Sequence, residues 1–477
     1  MQPSMFNVRV PLDAVSGRDD VFLMNTFTDA QLIVSRDTAE LLDRVAAQGP
    51  AAARSDEERD ALSTLAEHGF LVTTRAAERQ TLEAFFHDVR EDATQMKLTV
   101  LTTLQCNFAC DYCFQGDHGD HNKFAAKMTL ETAARACDWT EARLDVLRPK
   151  SLVLAFFGGE PLLNLPVVYY MAERLWETCQ ARGVRFTINV ITNGLLLTEE
   201  VVDRLLPFGL GGVKVTLDGD RDTHNRMRPL RGGQGTFDRI MRNVRQVAGK
   251  CRITIGGNFD ETSVDSYPAL LDFLKEQEFA DKLAKVAFKP IIREPRPSQP
   301  KGIIPLTVVG ADTKPLNGTC MTTAGGGSSA CDGCNLLSEK MAVLRDETKA
   351  RGFATSDGVH MGPCEIHAKH AYTMGPDGAL YACPGFTGDP TQSTGHIDGR
   401  REPWRDRAAS RFEQITAWHE CQDCAFIPVC AGGCSVASHT ELGSIDRPSC
   451  HKVSFEAGVV SMARDAAAQH APALVPA

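Results

Sequence analysis

The sequence predicts an α/β fold built on a partial (β/α)6 TIM-like barrel, with a small α+β module before it and a cysteine-rich domain after it. Two observations carry this. Six apolar, β-branched runs, LTVLTTL, LVLAFF, FTINVIT, VKVTL, RITIGGNF and VAFKPII, begin near Leu98, Leu152, Phe186, Val213, Arg252 and Val286. Helical patterns such as MTLETAARACDWTEARL, VVYYMAERLWETCQ and TFDRIMRNVRQV lie between them, and such alternation implies a parallel sheet with right-handed crossovers. Six units are two short of a closed eight-fold barrel. The second observation is that most of the 16 cysteines fall in close-spaced groups, chiefly toward the C-terminus.

The elements divide the chain at about 94 and 355. In the module 1–94, the extended runs FLMNTF and AQLIVS precede amphipathic helices around Thr38–Ala47 and Glu57–His68 and the run FLVTT; a charged helical linker spans Ala77–Asp92. The barrel occupies 95–355. Within it the segment 293–334, rich in Pro, Gly, Ser and Thr, reads as a mobile insertion, after which the helix SEKMAVLRDETKARG returns the chain. Residues 356–477 read as a small metal-organised domain and a C-terminal tail.

Composition narrows the function. Hydrophobic residues at 43% and charged residues at 23% are those of a soluble globular protein, and a net charge of −10 speaks against a nucleic-acid partner. No apolar stretch is long enough for a bilayer, and the N-terminus lacks the basic flank and apolar run of a signal peptide. The expected location is the cytoplasm, where clustered thiols point to metal or redox chemistry rather than to disulfides.

Cys106, Cys110 and Cys113 stand at i, i+4 and i+7 directly after the first predicted strand. A cubane cluster ordinarily takes four thiolates, so three leave one iron open. This CxxxCxxC, with the aromatic Tyr112 before the last cysteine, resembles the signature of the radical S-adenosylmethionine (SAM) family. Further segments are similar to that family's: Gly158-Gly159-Glu160-Pro161 after the second run, Ile191-Thr-Asn-Gly194, and Val215-Thr-Leu-Asp-Gly219 followed by His224 and Arg228. The resemblance implies a [4Fe-4S] cluster whose open iron is chelated by SAM, with Glu160 and the carbonyls of Gly158 and Gly159 at the SAM amino group, Asn193 and Thr216 near the ribose and methionine, and Arg228 near the carboxylate. Asn258, in GGNFD, is a further candidate.

In the C-terminal region Cys364 and Cys383 flank Gly378, Cys421, Cys424, Cys430 and Cys434 follow a C-x2-C-x5-C-x3-C spacing, and Cys450 comes after. Seven cysteines exceed one tetrahedral zinc site. The pattern resembles the SPASM domain of peptide-modifying radical SAM enzymes, which implies two auxiliary [4Fe-4S] clusters: an outer one on Cys421, Cys424, Cys430 and Cys450, and an inner one on Cys364, Cys383 and Cys434. The inner set lacks a fourth ligand; His360, Cys331, Cys334 or an open site all remain. Cys320, Cys331 and Cys334 lie in the Gly-rich insertion, while Cys137, Cys179 and Cys251 read as small core residues.

The resemblance further implies reductive cleavage of SAM to a 5'-deoxyadenosyl radical, hydrogen abstraction from a peptide or protein substrate, and an external electron donor. Crosslinking or other oxidation of a ribosomal precursor peptide leads. Sulfatase-type side-chain oxidation, small-molecule oxidation, or a non-enzymatic electron-transfer or scaffold role are the alternatives. Pro384 stands where sulfatase-maturing relatives carry an aspartate base. The N-terminal module resembles a leader-peptide recognition element.

Overall fold

The computed structural model describes residues 1–113, 125–291, 332–356, 359, 362–450 and 452–470, with 332–338 described in backbone only. The strands are β1 (Gln2–Pro3), β2 (Asn7–Pro11), β3 (Asp20–Asn25), β4 (Gln31–Ser35), β5 (Leu71–Val72), β6 (Gln95–Leu101), β7 (Ser151–Phe157), β8 (Arg185–Thr192), β9 (Leu210–Thr216), β10 (Arg252–Phe259), β11 (Leu283–Pro290), β12 (Ala371–Met374), β13 (Ala379–Tyr381) and β14 (Gly395–His396).

Strands β6 to β11 are the six runs anticipated from sequence, and all pair in parallel in the order β11-β10-β9-β8-β7-β6. Their two-residue periodicity separates two environments. Met96, Leu98 and Val100 on β6, like Ile253 and Ile255 on β10, are fully buried against the surrounding helices. The alternate residues, among them Thr99, Ala155, Asn189 and Thr254, are partly accessible and line a lumen. Two extra residues shift which side chains face it. Between the pairs Ile188↔Leu210 and Asn189↔Gly212, β9 gains Gly211; between Ile253↔Leu283 and Thr254↔Lys285, β11 gains Ala284.

At the β6 edge the sheet does not stop. Strand β12 adds in parallel, with Ala371 opposite Lys97 and Met374 opposite Val100, and the antiparallel strands β13 and β14 follow. The cysteine-rich region is thereby hydrogen-bonded into the barrel sheet. Lys97 Nζ also meets Glu365 Oε1 at 2.9 Å, which holds the turn after Cys364 at the N-terminal end of β6.

The N-terminal module is a three-stranded antiparallel sheet, β2-β3-β4, followed by helices Arg36–Gln48, Asp56–Glu67 and Arg75–Glu91. Strand β2 was not anticipated, although Val8 and Val10 alternate with Asn7 and Arg9 and pack on one face; the run is only five residues long and closes on a proline. The run FLVTT supplies only the two residues of β5. Helix Arg75–Glu91 is no free linker. Leu82 and Phe86 are each 3% exposed, Phe86 stacks on Trp418 with ring centroids 4.0 Å apart, and Arg79 pairs with Asp423 at 2.7 Å.

Two further expectations need correcting. The return helix begins at Asp332 rather than at Ser338, which puts Cys334 in a helix and not in a loop; the insertion's residues 292–331, including Cys320 and Cys331, lie outside the described residues. The C-terminal stretch is a helix, Lys452–Gln469, and not a tail. Val459 and Ala463 on it are fully buried in a cluster with Phe22 and Met24 of β3 and Phe426, while Ser461 and Arg464 both bond Asp346 of the return helix, at 2.9 and 2.8 Å. No helix among the described residues is long and apolar enough to cross a membrane.

Because Phe86 fills the contact between the first module and the C-terminal region, F86A should cost about 3 kcal/mol. Thermal unfolding followed by circular dichroism should show a lowered midpoint, whereas F85L, on the more exposed neighbouring face, should leave it nearly unchanged.

Candidate active site

Strand β6 ends at Leu101 and the chain turns immediately into the loop bearing Cys106, Cys110 and Cys113. That loop is pinned from two sides. On one, Gly159 N donates to Thr103 O and Glu160 N to Gln105 O, both at 2.9 Å. A Cβ on Gly158 would stand 2.3 Å from Thr103 O, and one on Gly159 2.1 Å from Gln105 O, so both glycines are required by backbone contact with the cysteine loop. On the other side Ala109 N donates to Pro229 O at 2.9 Å, and the buried Phe108 bridges to Leu230.

All three cysteines are half-buried. Burial raises the Cys106 thiol to about 12, with the Glu160 carboxylate adding to the effect, and burial raises Cys110 likewise to about 12, partly opposed by Arg228. Cys106 and Cys110 each feel Cys113. Thiols held this high stay protonated near neutrality unless a metal displaces the proton. Phe108 N donates to Cys106 Sγ at 3.4 Å, and Asn193 Nδ2 lies 3.9 Å from the same sulfur.

Glu160 is fully buried. Oε1 accepts from Leu162 N at 3.0 Å and Thr192 Oγ1 at 2.7 Å, and Oε2 accepts from Asn193 N at 2.8 Å. Burial raises its pKa, and these three donors work the other way. One carboxylate thus ties the ends of β7 and β8 together, and it retains an unused lone pair on Oε2.

The remaining candidates meet around a residue that the sequence reading passed over. Asp218, in the quoted Leu-Asp-Gly turn after β9, is fully buried. Its Oδ2 accepts from Tyr112 Oη and faces Arg228 Nη1 at 3.4 Å, while Oδ1 accepts from Asn258 N at 2.7 Å. Arg228 Nη1 donates to Tyr112 Oη at 2.5 Å, and Asn258 Nδ2 reaches the same phenol at 3.3 Å. The signal in the sequence was an aspartate in an otherwise apolar strand end, which must find donors when buried. Thr216 ends β9 on the lumen face, opposite Gly256, and its hydroxyl makes no hydrogen bond among the described residues.

His224 holds the Arg228 turn in place. Its Nδ1 accepts from Asp218 N at 3.2 Å, which leaves the proton on Nε2 to be donated to Thr236 Oγ1 at 3.0 Å; Thr236 then donates to Arg228 O at 2.9 Å. Burial first, and then the Arg228 charge, keep the ring well below its ordinary pKa and neutral. Arg228 Nε is buried with no hydrogen-bond partner among the described residues.

The C-terminal cysteines influence one another electrostatically in two groups. Burial, then the neighbouring Cys421, Cys450 and Cys424, push Cys430 up to about 12. Burial, a countering bond from Gly385 N, and then Cys364 and Cys434 set Cys383 at about 12. Ser449 N donates to Gly432 O at 2.8 Å, which brings Cys450 back beside Cys430. Gln422 and Ala431, each next to a cysteine of the outer set, are two of the four described non-glycine residues with positive φ, at 52° and 51°. Among the described residues no three His, Cys, Asp or Glu side chains close around a single metal ion. His360 and Cys331 lie outside the described residues, as does the side chain of Cys334, so the inner set stands at three. Cys137 and Cys179 are fully buried core residues, and Cys251 is half-buried.

Residues 100–264 match the radical SAM superfamily. This is a radical SAM domain. Among curated proteins, the Fe-coproporphyrin III synthase of Methanosarcina barkeri (strain Fusaro / DSM 804) is 28% identical over 199 residues, 41% of this chain and 44% of that protein. The cysteine-type anaerobic sulfatase-maturating enzyme of Clostridium novyi (strain NT) is 24% identical over 206 residues, 42% of this chain and 53% of that protein. The chain thus spans about half the length of the curated relatives it matches. Among solved structures, anSMEcpe with bound AdoMet superposes with a TM-score of 0.56 at 16% identity, covering 77% of this chain and 97% of that one. The fold of 77% of the chain therefore has a solved counterpart.

Removing the charge of Asp218 strands the buried Arg228, so D218N should cost about 3 kcal/mol. The thermal midpoint of D218N should fall well below that of E261Q, a change at an exposed carboxylate that should leave stability within about 0.5 kcal/mol of the parent.

Proposed function

We propose that the chain is a radical SAM enzyme that oxidises a peptide, installing a crosslink or a related modification. The observation that carries this reading is the pairing of β12 with β6, which ties the turn after Cys364 to the strand that leads into the Cys106 loop. Cys106, Cys110 and Cys113 sit at the C-terminal mouth, and Cys364, Cys383 and Cys434 sit where Glu365 meets Lys97, at the other end of the same strand. From Lys97 to Leu101 the strand rises about 13 Å.

The donor set fits the group. Three thiols that feel one another's charge, an unused lone pair on Glu160 and the Nε of Arg228, without a partner among the described residues, supply three sulfur ligands, an acceptor and a guanidinium to one region. In this reading Cys106, Cys110 and Cys113 hold a [4Fe-4S] cluster, Glu160 accepts from the SAM amino group, Arg228 receives the carboxylate, and Asn193, Thr216 and Asn258 line the remainder. When reduced and bound there, the cluster supplies the electron that splits SAM into methionine and a 5'-deoxyadenosyl radical. The chain's own part is to fix that radical's position and to keep water out. Cys421, Cys424, Cys430 and Cys450 hold the outer auxiliary cluster and the inner set the other, an exit for the substrate's electron toward an external carrier.

Two features favour a peptide. The module β2-β3-β4 presents the partly exposed edge strand β4, to which an extended leader can add. A solved relative of this fold is described with both AdoMet and the Cp18Cys peptide bound. A second reading, oxidation of a small molecule, is favoured by the name of the Methanosarcina relative; stoichiometric binding of a short leader peptide by the full chain would set it aside.

Replacing Cys106, Cys110 and Cys113 together by Ala should abolish 5'-deoxyadenosine formation, read by chromatography on anaerobically reconstituted protein. Iron held by the C-terminal cysteines should remain, so total iron should fall by about the four atoms of one cubane. Zinc in place of iron in the unaltered protein would end the proposal.

A further inference from the structure

Lys214 on β9 and Lys285 and Lys289 on β11 all face the lumen, and the two extra residues are what turn them there. Gly211 shifts β9 so that Lys214 lies opposite Ile191 and Thr254; Ala284 shifts β11 so that Lys285 lies opposite Thr254 and Lys289 opposite Asn258. Without each shift the alternation would send the lysines into the apolar layer under the helices.

The three share one wall of the lumen. Thr254 is the register partner of both Lys214 and Lys285, which sets their Cα atoms two strand spacings apart, about 10 Å. The Lys214 side chain leans toward the mouth: a Cβ on Gly256, two residues beyond Thr254, would stand 2.6 Å from Lys214 Cε and 3.5 Å from its Nζ. The missing side chain of Gly256 is therefore the room that Lys214 occupies. None of the three forms an ion pair with a described carboxylate, in contrast to Lys97 across the lumen, which has Glu365. Burial, and then the charges of Lys289 and Lys285, lower Lys214 to about 8. Lys214 and Lys289 keep solvent access and Lys285 is half-buried, so the three ammonium groups are open to an anion entering the lumen.

We propose that Lys214, Lys285 and Lys289 form a binding site for a substrate carboxylate, anchoring an acidic side chain or a C-terminal carboxylate in the lumen below Asn258. This rests on the peptide reading above and sharpens it: the modified segment carries a negative charge close to the reacting carbon. Lys289, level with Asn258, stands nearest the SAM region, and Lys214 and Lys285, level with Thr254, lie four residues or about 13 Å deeper.

The test uses the full, reconstituted chain with SAM and four fluorescein-labelled probes followed by anisotropy: the peptide Ala-Ala-Glu-Ala-Ala and its Gln counterpart, each as free acid and as C-terminal amide. The amidated Glu peptide should bind at least about tenfold more tightly than the amidated Gln peptide, if the anchor is a side chain. If it is a chain terminus, the free acid of the Gln peptide should instead gain the tenfold. Either preference should disappear in the triple variant K214Q/K285Q/K289Q, whose melting curve checks that it folds. Equal binding of all four probes to the unaltered protein, or no binding of any, overturns the proposal without requiring a variant. A preference that survives in the triple variant overturns it too, since the anion then binds elsewhere. Competition by coproporphyrin III, a tetracarboxylate, separates the two readings: displacement at concentrations below those of the Glu peptide, lost with the lysines, keeps the cationic site and overturns the peptide.

Discussion

The pairing of β12 with β6 is the constraint on which the rest of the arrangement depends. Four register pairs, Ala371↔Lys97 to Met374↔Val100, make the cysteine-rich region a continuation of the barrel sheet rather than a tethered neighbour. A hydrogen-bonded ladder fixes distance along the strand in steps of about 3.3 Å. Since β6 also carries the Cys106 loop at its far end, the separation of the two cysteine sets is set by the backbone, and side-chain motion hardly alters it. Apolar packing adds to the ladder: Met374 is fully buried in the barrel core, and Tyr372 meets Trp139 edge-on at 5.0 Å.

Within that frame the mouth of the barrel is held by polar groups, which is costly to build and rigid once built. Asp218 and Glu160 are carboxylates with no solvent access, and each accepts from three or more donors drawn from different strand ends. A partly satisfied network of this kind would be worse than an apolar core, so its members are fixed together or not at all. The result is a preorganised set of donors at the strand ends. Arg228 gains its orientation from His224 and Thr236, neither of which faces the lumen as a free group.

Much of this was legible in the sequence, and the parts that were not have definite physical causes. The six strands announce themselves because their helix-facing residues are nearly all Val, Ile, Leu, Met or Phe, and the cysteine groups because their spacing is local. The partition of the C-terminal cysteines was stated from resemblance alone; in the structure Cys430 feels the charges of Cys421, Cys424 and Cys450, and Cys383 those of Cys364 and Cys434. Asp218 was missed although its tripeptide was quoted, because a lone aspartate beside a glycine also reads as a turn. The extra residues Gly211 and Ala284 are invisible in a pattern of apolar letters: either register keeps Val213, Val215 and Val286 plausible, and only pairing with the neighbouring strand decides which way the lysines point. The docking of Phe86 on Trp418 joins residues more than three hundred positions apart, and charged letters around Phe86 suggested a linker instead.

The long-range packing has a consequence for the outer cysteine set. Cys421 and Cys424 sit against a cluster made of Met5, Phe6, Leu82, Phe86 and Trp418, so one wall of that set comes from the N-terminal module and its third helix. Hydrophobic cover lowers the local dielectric and restricts water, and both determine how readily a thiolate-bound cluster accepts charge. Strand β4, the edge to which an extended peptide can add, belongs to the sheet whose β3 residues Phe22 and Met24 pack against Phe426, two residues beyond Cys424. Any shift of that sheet on peptide binding is transmitted through a close-packed contact to the turn carrying Cys421 and Cys424. The first module and the surroundings of Cys421 and Cys424 are thus mechanically one unit.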